Sequence, residues 1–209
     1  MLVAAGTGLV RYRRLGRPQR LLLLLTLLSL AMEVVVSALA YHNQNNQNNL
    51  FLAPIDTAIE FTLLALMYRL ALRPSWLSRL IPWLVGAFLL GTAFSYTPRL
   101  DVAEFSPTQH TLEALLLLSF VGSYFYREII RPVHSAGLKQ DPMFWVSAGS
   151  LLYFAGSLLI FFPSNYVLHR SQALSLQVWT VHALLLGLLN VLFAVALACP
   201  PRKPRAGIT

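Results

Sequence analysis

Long apolar runs separated by short polar connections make up most of this chain of 209 residues. A helix of about 20 apolar residues crosses the roughly 30 Å hydrocarbon layer of a bilayer. Five runs have that length, and the run 111–126 is shorter but has neighbours that can extend it. The pattern therefore predicts an all-α, polytopic transmembrane helical bundle with six full spans. The predicted spans are 21–40, 50–68, 80–96, 111–126, 143–162 and 176–198.

A frame of the form Tyr-Arg-x-x-x-Arg-Pro occurs three times, each time after an apolar run. The copies are 56 and 58 residues apart, about two spans with their loops, which predicts repeated helical hairpins. Alternatively, Tyr, Arg and Pro are common at a cytoplasmic membrane boundary and arose there independently. In both interpretations the same residues anchor the membrane edge. They are Tyr12, Arg13, Arg17, Tyr68, Arg69, Arg73, Tyr126, Arg127 and Arg131.

The repeat also bears on Met1–Val10, which precedes the first copy. The other two copies end helices that run from outside to inside, so this segment should be the inner end of another such helix. Ten residues do not span a bilayer. We therefore expect a half-length, truncated helix here, or an upstream segment that is not in this chain.

Composition and charge support a membrane location. With 56% hydrophobic and 11% charged residues, the chain has too little polar surface for a soluble domain. Fourteen of the sixteen Lys and Arg lie in alternate connections. By the positive-inside rule, 1–20 is a basic cytoplasmic segment, 21–198 is the bundle and 199–209 is a cytoplasmic tail. This distribution predicts a multi-pass protein of the bacterial inner (plasma) membrane, and it excludes nucleic acid as a partner because no single basic face exists.

Ionisable and amide side chains within the predicted spans form the main candidate site. A charge near the bilayer centre costs several kcal/mol, so such residues are functional candidates. Counted from the helix ends, they fall mostly in the outer half of the membrane. Asp56 and Glu60 are four residues apart and share a helix face. The predicted pocket consists of Glu33, Asp56, Glu60, His110, Glu113, His182 and Asn190.

Three interpretations of this polar layer remain open. It could bind a small ligand or protons, because neighbouring carboxylates repel each other's charges. It could be a hydrogen-bonded network that only joins helices. It could hold a divalent metal, with Asp56, Glu60 and His182 as ligands, and activate water. The metal interpretation is the weakest, since no two of these residues have a recognised ligand spacing.

Cofactor chemistry finds no support in the sequence, and no cofactor is predicted. The only lysines, Lys139 and Lys203, lie outside the spans, so no Schiff base with retinal can form within them. There is no phosphate-binding glycine loop. The single cysteine, Cys199, excludes an intramolecular disulfide and a cysteine-cluster metal site.

The stretches RYRRLGRP at 11–18 and NNLFLAPIDTAIEFTLLALMYR at 48–69 resemble a family of uncharacterised multi-pass membrane proteins from Bacteroidetes-type bacteria. Its members are similar to the membrane portions of seven-helix sensor proteins. Most of them have a full helix before RYRRL, where this chain has ten residues. The resemblance implies a membrane localisation, a helical bundle and a sensory role.

Together these features predict an inner-membrane module that senses or binds a small ligand or protons through the outer-half pocket. The expected partners are the lipid bilayer and a signalling protein or a second copy of the chain, because the segment after residue 198 is only a tail. Two alternatives are an intramembrane metal-dependent lipid hydrolase and a proton-coupled small-molecule transporter. Enzymatic activity is the less favoured expectation.

Overall fold

The computed structural model describes residues 1–42, 52–95, 107–130, 138–168 and 172–201. These parts of the chain are helical, as predicted, and contain no strand. In the described ranges, the short 3₁₀ turns Tyr12–Arg14 and Leu138–Gln140 accompany seven α-helices. The helices are α1 (Leu2–Val10), α2 (Arg17–His42), α3 (Ala53–Ala71), α4 (Trp76–Ser95), α5 (Pro107–Ile130), α6 (Pro142–Leu168) and α7 (Gln172–Ala198).

Local sequence signals set several of the helix starts. Before α4, the Ser75 hydroxyl accepts a hydrogen bond from the Ser78 amide at 3.1 Å. Before α6, Asp141 accepts one from the Met143 amide at 3.1 Å, and Pro142 occupies the first helical position. Both are N-cap arrangements that satisfy otherwise unpaired helix-start amides. As a result, α4 begins four residues before the predicted span 80–96, and α6 begins one residue before the predicted span 143–162.

The helices form a closed group around an interior space. Neighbouring pairs are α2 with α3, α3 with α5, α5 with α6, and α6 with α7, and α7 in turn contacts α2. The short helix α1 packs against α2 and α7, whereas α4 packs against α3. α3 therefore has three helical neighbours and a largely buried side chain set, including Phe61, Leu64 and Tyr68 at 0% exposure.

One end of the bundle, called here the basic end, gathers residues that are distant in sequence. Arg11 donates a hydrogen bond to the Ala198 carbonyl. Gln19 donates to the Cys199 carbonyl at 3.0 Å, and the Cys199 thiol lies 4.0 Å from the Lys139 carbonyl. At the other end, called the opposite end, α3 and α5 begin and α2 finishes.

Within the described residues, four helical segments are long and apolar enough to cross a membrane by length and composition. They are Arg17–Leu39, Trp76–Ser95, Pro142–Ile160 and Leu176–Ala198. The chain is thus a helical bundle with the character of a membrane protein, but the six predicted full spans are shown for four only.

The other two predicted spans, 50–68 and 111–126, correspond to α3 and α5. These two helices are not apolar enough to be recognised as spans, because of their charged and polar residues. α3 carries Asp56, Glu60 and Arg69 within 19 residues. α5 starts with the polar sequence Pro-Thr-Gln-His-Thr and ends near Arg127 and Glu128. A helix surrounded by other helices exposes little surface to lipid, so it tolerates polar residues that a lipid-facing helix does not.

The pairing of α6 with α7 is the most extensive in the bundle, and small residues allow it. A Cβ atom added at Gly149 would lie 3.1 Å from a Leu189 methyl and 3.2 Å from the Leu192 Cβ. One added at Gly156 would lie 2.5 Å from a Leu185 methyl. The small-residue face of α6 is therefore a helix-contact face.

The three tyrosines of the repeated frame have different surroundings. Tyr12 and Tyr126 are 53% and 69% exposed, as expected of membrane-edge anchors. Tyr68 is fully buried, and its hydroxyl donates to Ser147 on α6 at 3.2 Å. Arg131, the last arginine of the third copy, lies outside the described residues. The hairpins α3–α4 and α5–α6 each begin at the opposite end, but duplication stays a prediction.

Candidate functional site: an acid-lined cavity

A cavity of about 520 Å³ lies within the group formed by α2, α3, α5, α6 and α7. All seven polar residues singled out from the sequence line it: Glu33, Asp56, Glu60, His110, Glu113, His182 and Asn190. Most belong to the half of each helix toward the opposite end. Their role as a ligand or proton pocket stays a prediction, but the chain brings them together in one place.

The wall formed by α3 and α5 carries three carboxyl groups. Asp56 and Glu113 lie close enough to Glu60 to interact with it electrostatically. Glu113 is 2% exposed, and its Oε2 lies 3.6 Å from Nδ1 of His110. His110 in turn lies 3.3 Å from the Thr57 hydroxyl on α3. This wall is consequently one connected polar surface made from two neighbouring helices.

The wall formed by α6 and α7 is aromatic. The ring of His182 lies between Tyr153, with centroids 5.5 Å apart, and Trp179, with centroids 5.9 Å apart. Phe154 lines the same side. Asn190, farther along α7, donates to the Leu186 carbonyl of its own helix at 2.8 Å and also lines the cavity.

The cavity reaches the surface of the bundle at α2 and α7. Glu33 of α2 is exposed although it lines the cavity. Trp179 of α7 also lines it and is 43% exposed. Glu33 therefore belongs to the rim, not to the buried part of the pocket.

A metal centre has no geometric basis in the described residues. Within them, no three His, Cys, Asp or Glu side chains stand close enough together to hold a metal ion. The possible ligand set Asp56, Glu60 and His182 lines the cavity from opposite walls. Zinc binds most often through three or four protein ligands at about 2.0–2.3 Å, which this arrangement does not offer.

Several cavity residues carried no functional signal in the sequence. Thr57 follows Asp56 directly and continues the polar face of α3. Ser157 follows Gly156 in an otherwise apolar part of α6, and Trp179 has the position of an interfacial tryptophan. Tyr153 stands in an apolar run with nothing to distinguish it. Only the three-dimensional arrangement shows that these four side chains share one cavity.

A second polar cluster lies at the basic end, away from the cavity. Gln19, 2% exposed, accepts from the Gly16 amide and donates to the carbonyls of Ala196 and Cys199, each at 3.0 Å. Burial raises the pKa of the Cys199 thiol, the nearby Asp141 carboxylate raises it further, and Arg11 opposes them. This cluster fixes the start of α2 to the end of α7 and is structural.

No protein-family model, curated protein or solved structure matches the chain. Fold and site together define a helical bundle of membrane type with an acid-lined internal cavity.

Proposed function

We propose that this chain is an integral membrane module that binds a small ligand or protons in the acid-lined cavity and passes the signal to a partner protein or a second copy. The observation that carries the proposal is the convergence of seven polar side chains, from four helices, on one cavity. Polar side chains that serve only to join helices would be expected at separate helix contacts. Residues 11–18 and 48–69 resemble an uncharacterised membrane-protein family whose members are similar to the membrane portions of seven-helix sensors, and a sensory role agrees with that resemblance.

The membrane topology is part of the proposal. We place all of α2 to α7 across the membrane, giving six spans, with α3 shielded from lipid by α2, α4 and α5, and with the polar residues His110 and Glu113 of α5 on the side that faces the cavity. The basic end faces the cytoplasm of a bacterial inner membrane, because the described Lys and Arg of the loops gather there. The predicted basic segment around Arg11–Arg20 and the C-terminal tail are then cytoplasmic, whereas α1 runs from Met1 on the cavity lining to the basic end, and the cavity lies in the outer half.

The metal-hydrolase alternative is not advanced, since the described acids and imidazoles offer no ligand group. The transporter alternative has no specific observation in its favour. Paired broken helices near mid-membrane are typical of many transporters. Here Pro82 of α4 lies away from the cavity, and Pro163 of α6 falls within the last six residues of its helix, near the helix end and not near its middle.

Glu60 is the residue through which to test the proposal. It lies within the polar wall and interacts with carboxylates of α3 and α5. The titratable side chains that line the same cavity, from every helix around it, are Glu33, Asp56, His110, Glu113, Tyr153 and His182. A change at Glu60 should therefore alter how the whole group responds to protons and cations.

The experiment compares the parent with Glu60→Gln and Glu60→Leu by thermal denaturation across about pH 5 to 8 and with added monovalent and divalent cations. The amide keeps the shape and hydrogen bonding, so Glu60→Gln should fold but lose most of the pH or cation dependence. Leucine should also lower stability, by leaving partners unsatisfied. If Glu60→Gln matches the parent at every pH and with every cation, the cavity is a structural network only.

A further inference from the structure

The Asp, Glu, Lys and Arg side chains that line the cavity are all acidic, although Met1, whose α-amino group is a cation, also lies on the lining. Four of the eight acidic residues of the chain line it, whereas its lining contains no lysine or arginine within the described part of the chain. The lining acids are Glu33, Asp56, Glu60 and Glu113. Low-dielectric walls of one charge sign concentrate the field and attract ligands of the opposite charge. The cavity should favour a cation over a neutral molecule or an anion.

Glu113 supplies an independent observation that points to a ligand. Its Oε2 faces His110, but its buried Oε1 has no hydrogen-bond partner among the residues that the structure describes. A buried carboxylate oxygen without a donor is costly. Since Glu113 lines the cavity, a ligand bound there can supply the donor.

The size and the opposite wall of the cavity decide what kind of cation fits. About 520 Å³ falls in the range of sites for small organic molecules and is far larger than one inorganic ion requires. Tyr153 and Trp179 flank His182 on the wall facing the carboxyl groups, and Phe154 and Phe193 add apolar surface. Aromatic faces attract cations and also bury an apolar body.

We propose that the cavity binds an organic ammonium ion, with an ammonium N–H donating to Oε1 of Glu113 and the apolar body lying against the aromatic wall. This inference rests on the proposed function, because it names the ligand class of the same cavity. Asp56 and Glu60 place two further carboxyl groups one helical turn apart on α3. The ammonium group belongs either to a free amine or to an ethanolamine lipid headgroup, and the rim at Glu33 and Trp179 admits both.

The first experiment measures binding of 2-phenylethylamine and of its neutral counterpart 2-phenylethanol to the full chain in phosphatidylglycerol nanodiscs. The amine should bind about tenfold or more tightly than the alcohol, and Glu113→Gln should remove about that advantage without affecting the alcohol. Asp56→Asn is the second variant, should Glu113→Gln fail to fold. Glu128→Gln, also on α5 but outside the cavity, is the matched control and should leave the preference unchanged.

A second arm distinguishes the sources of the ammonium group. If the free amine does not bind but phosphatidylethanolamine in the nanodisc raises the thermal midpoint of the parent and not of Glu113→Gln, the ligand is a lipid headgroup. Either positive result supports an ammonium site. If neither the amine nor the lipid shows a preference that depends on Glu113 or Asp56, the inference is overturned. In that case, a pH or cation response that still depends on Glu60 would support the proposed function without the ammonium ligand. If that response is also absent, the proposed function and the ammonium inference are both wrong.

Discussion

The hydroxyl oxygen of Thr57 lies 3.3 Å from Nδ1 of His110, which joins α3 to α5 at the wall of the cavity. The same hydroxyl donates to the Ala53 carbonyl at 2.9 Å. With that hydrogen directed at Ala53, the Thr57 oxygen accepts from His110 in the tautomer that carries its proton on Nδ1. Nδ1 also lies 3.6 Å from Oε2 of Glu113, so Thr57 positions the imidazole beside that carboxyl group.

Replacing Thr57 with valine should therefore weaken the contact between α3 and α5. We expect a loss of about 1 kcal/mol in stability, because the His110 donor loses its acceptor while the side-chain shape is kept. Thr57→Ser should retain the parent's thermal midpoint. Thr180→Val is a matched control, since Thr180 also bonds to its own helix, at Leu176, but is exposed. Equal midpoints for Thr57→Val and Thr180→Val would contradict this role.

Arg127 of α5 should act as a cap for α3. Its Nη1 donates to the carbonyls of Ala71 at 2.9 Å and Arg73 at 3.1 Å, at the end of that helix. A charged donor at a helix C-terminus satisfies free carbonyls and favours the helix dipole. Arg127→Gln should cost about 1–3 kcal/mol, measured by thermal or denaturant unfolding, whereas the exposed Arg13→Gln should cost little. A similar small effect for both would show that Arg127 only anchors the membrane edge.

The contact between α6 and α7 should be sensitive to added volume at Gly149. Leucine there would overlap Leu189 and Leu192 and should destabilise the fold by about 1–3 kcal/mol. Gly86→Leu on α4 is the control, because no atom lies within 4 Å of a Cβ at that position. Equal stability of the two variants would mean that the close approach of α6 and α7 is not needed.

Cys199 should react slowly with alkylating reagents. Burial and the neighbouring Asp141 raise its pKa, so less of the reactive thiolate is present near neutral pH than for an ordinary thiol. The rate of modification by N-ethylmaleimide should keep rising with pH beyond the point where an exposed cysteine levels off. The control is a cysteine at Arg13, which is exposed at the basic end, in a Cys199→Ser background. Overlapping rate profiles for the two thiols would contradict the assignment.

The polar cavity was predictable because charged residues are rare in membrane helices. Asp56, Glu60 and Glu113 are conspicuous in apolar runs, and desolvation makes such residues converge in an interior. The sequence did not indicate that Tyr153 and Trp179 form the opposing wall, because tyrosine and tryptophan are ordinary residues of membrane helices and interfaces.

Of the six predicted spans, length and composition show four among the described residues, and the other two, α3 and α5, carry too many charged and polar residues to be recognised in this way. Counting assumes that each helix meets lipid on its own, whereas α3 has neighbours on three sides. Tyr68 illustrates the limit of a local pattern. It shares a frame with Tyr12 and Tyr126, yet its helix position turns it into the core against Ser147.

Charge-selective labelling of a cysteine inside the cavity tests the central claim most directly. Ser29 lines the cavity from the middle of α2, and Ser29→Cys in a Cys199→Ser background changes little in shape. Tyr41→Cys, at the 82% exposed position near the end of the same helix, is the reference. The reagents are two methanethiosulfonates of similar size, one bearing trimethylammonium and one bearing sulfonate.

The measured quantity is the rate of modification by the cationic reagent divided by the rate by the anionic reagent. For a cavity that accepts cations, this ratio should be about tenfold or more higher at Ser29→Cys than at Tyr41→Cys. Glu60→Gln and Glu113→Gln should each reduce that excess. Equal ratios at the two positions, or no reaction of Ser29→Cys with either reagent, would contradict a cation-binding cavity.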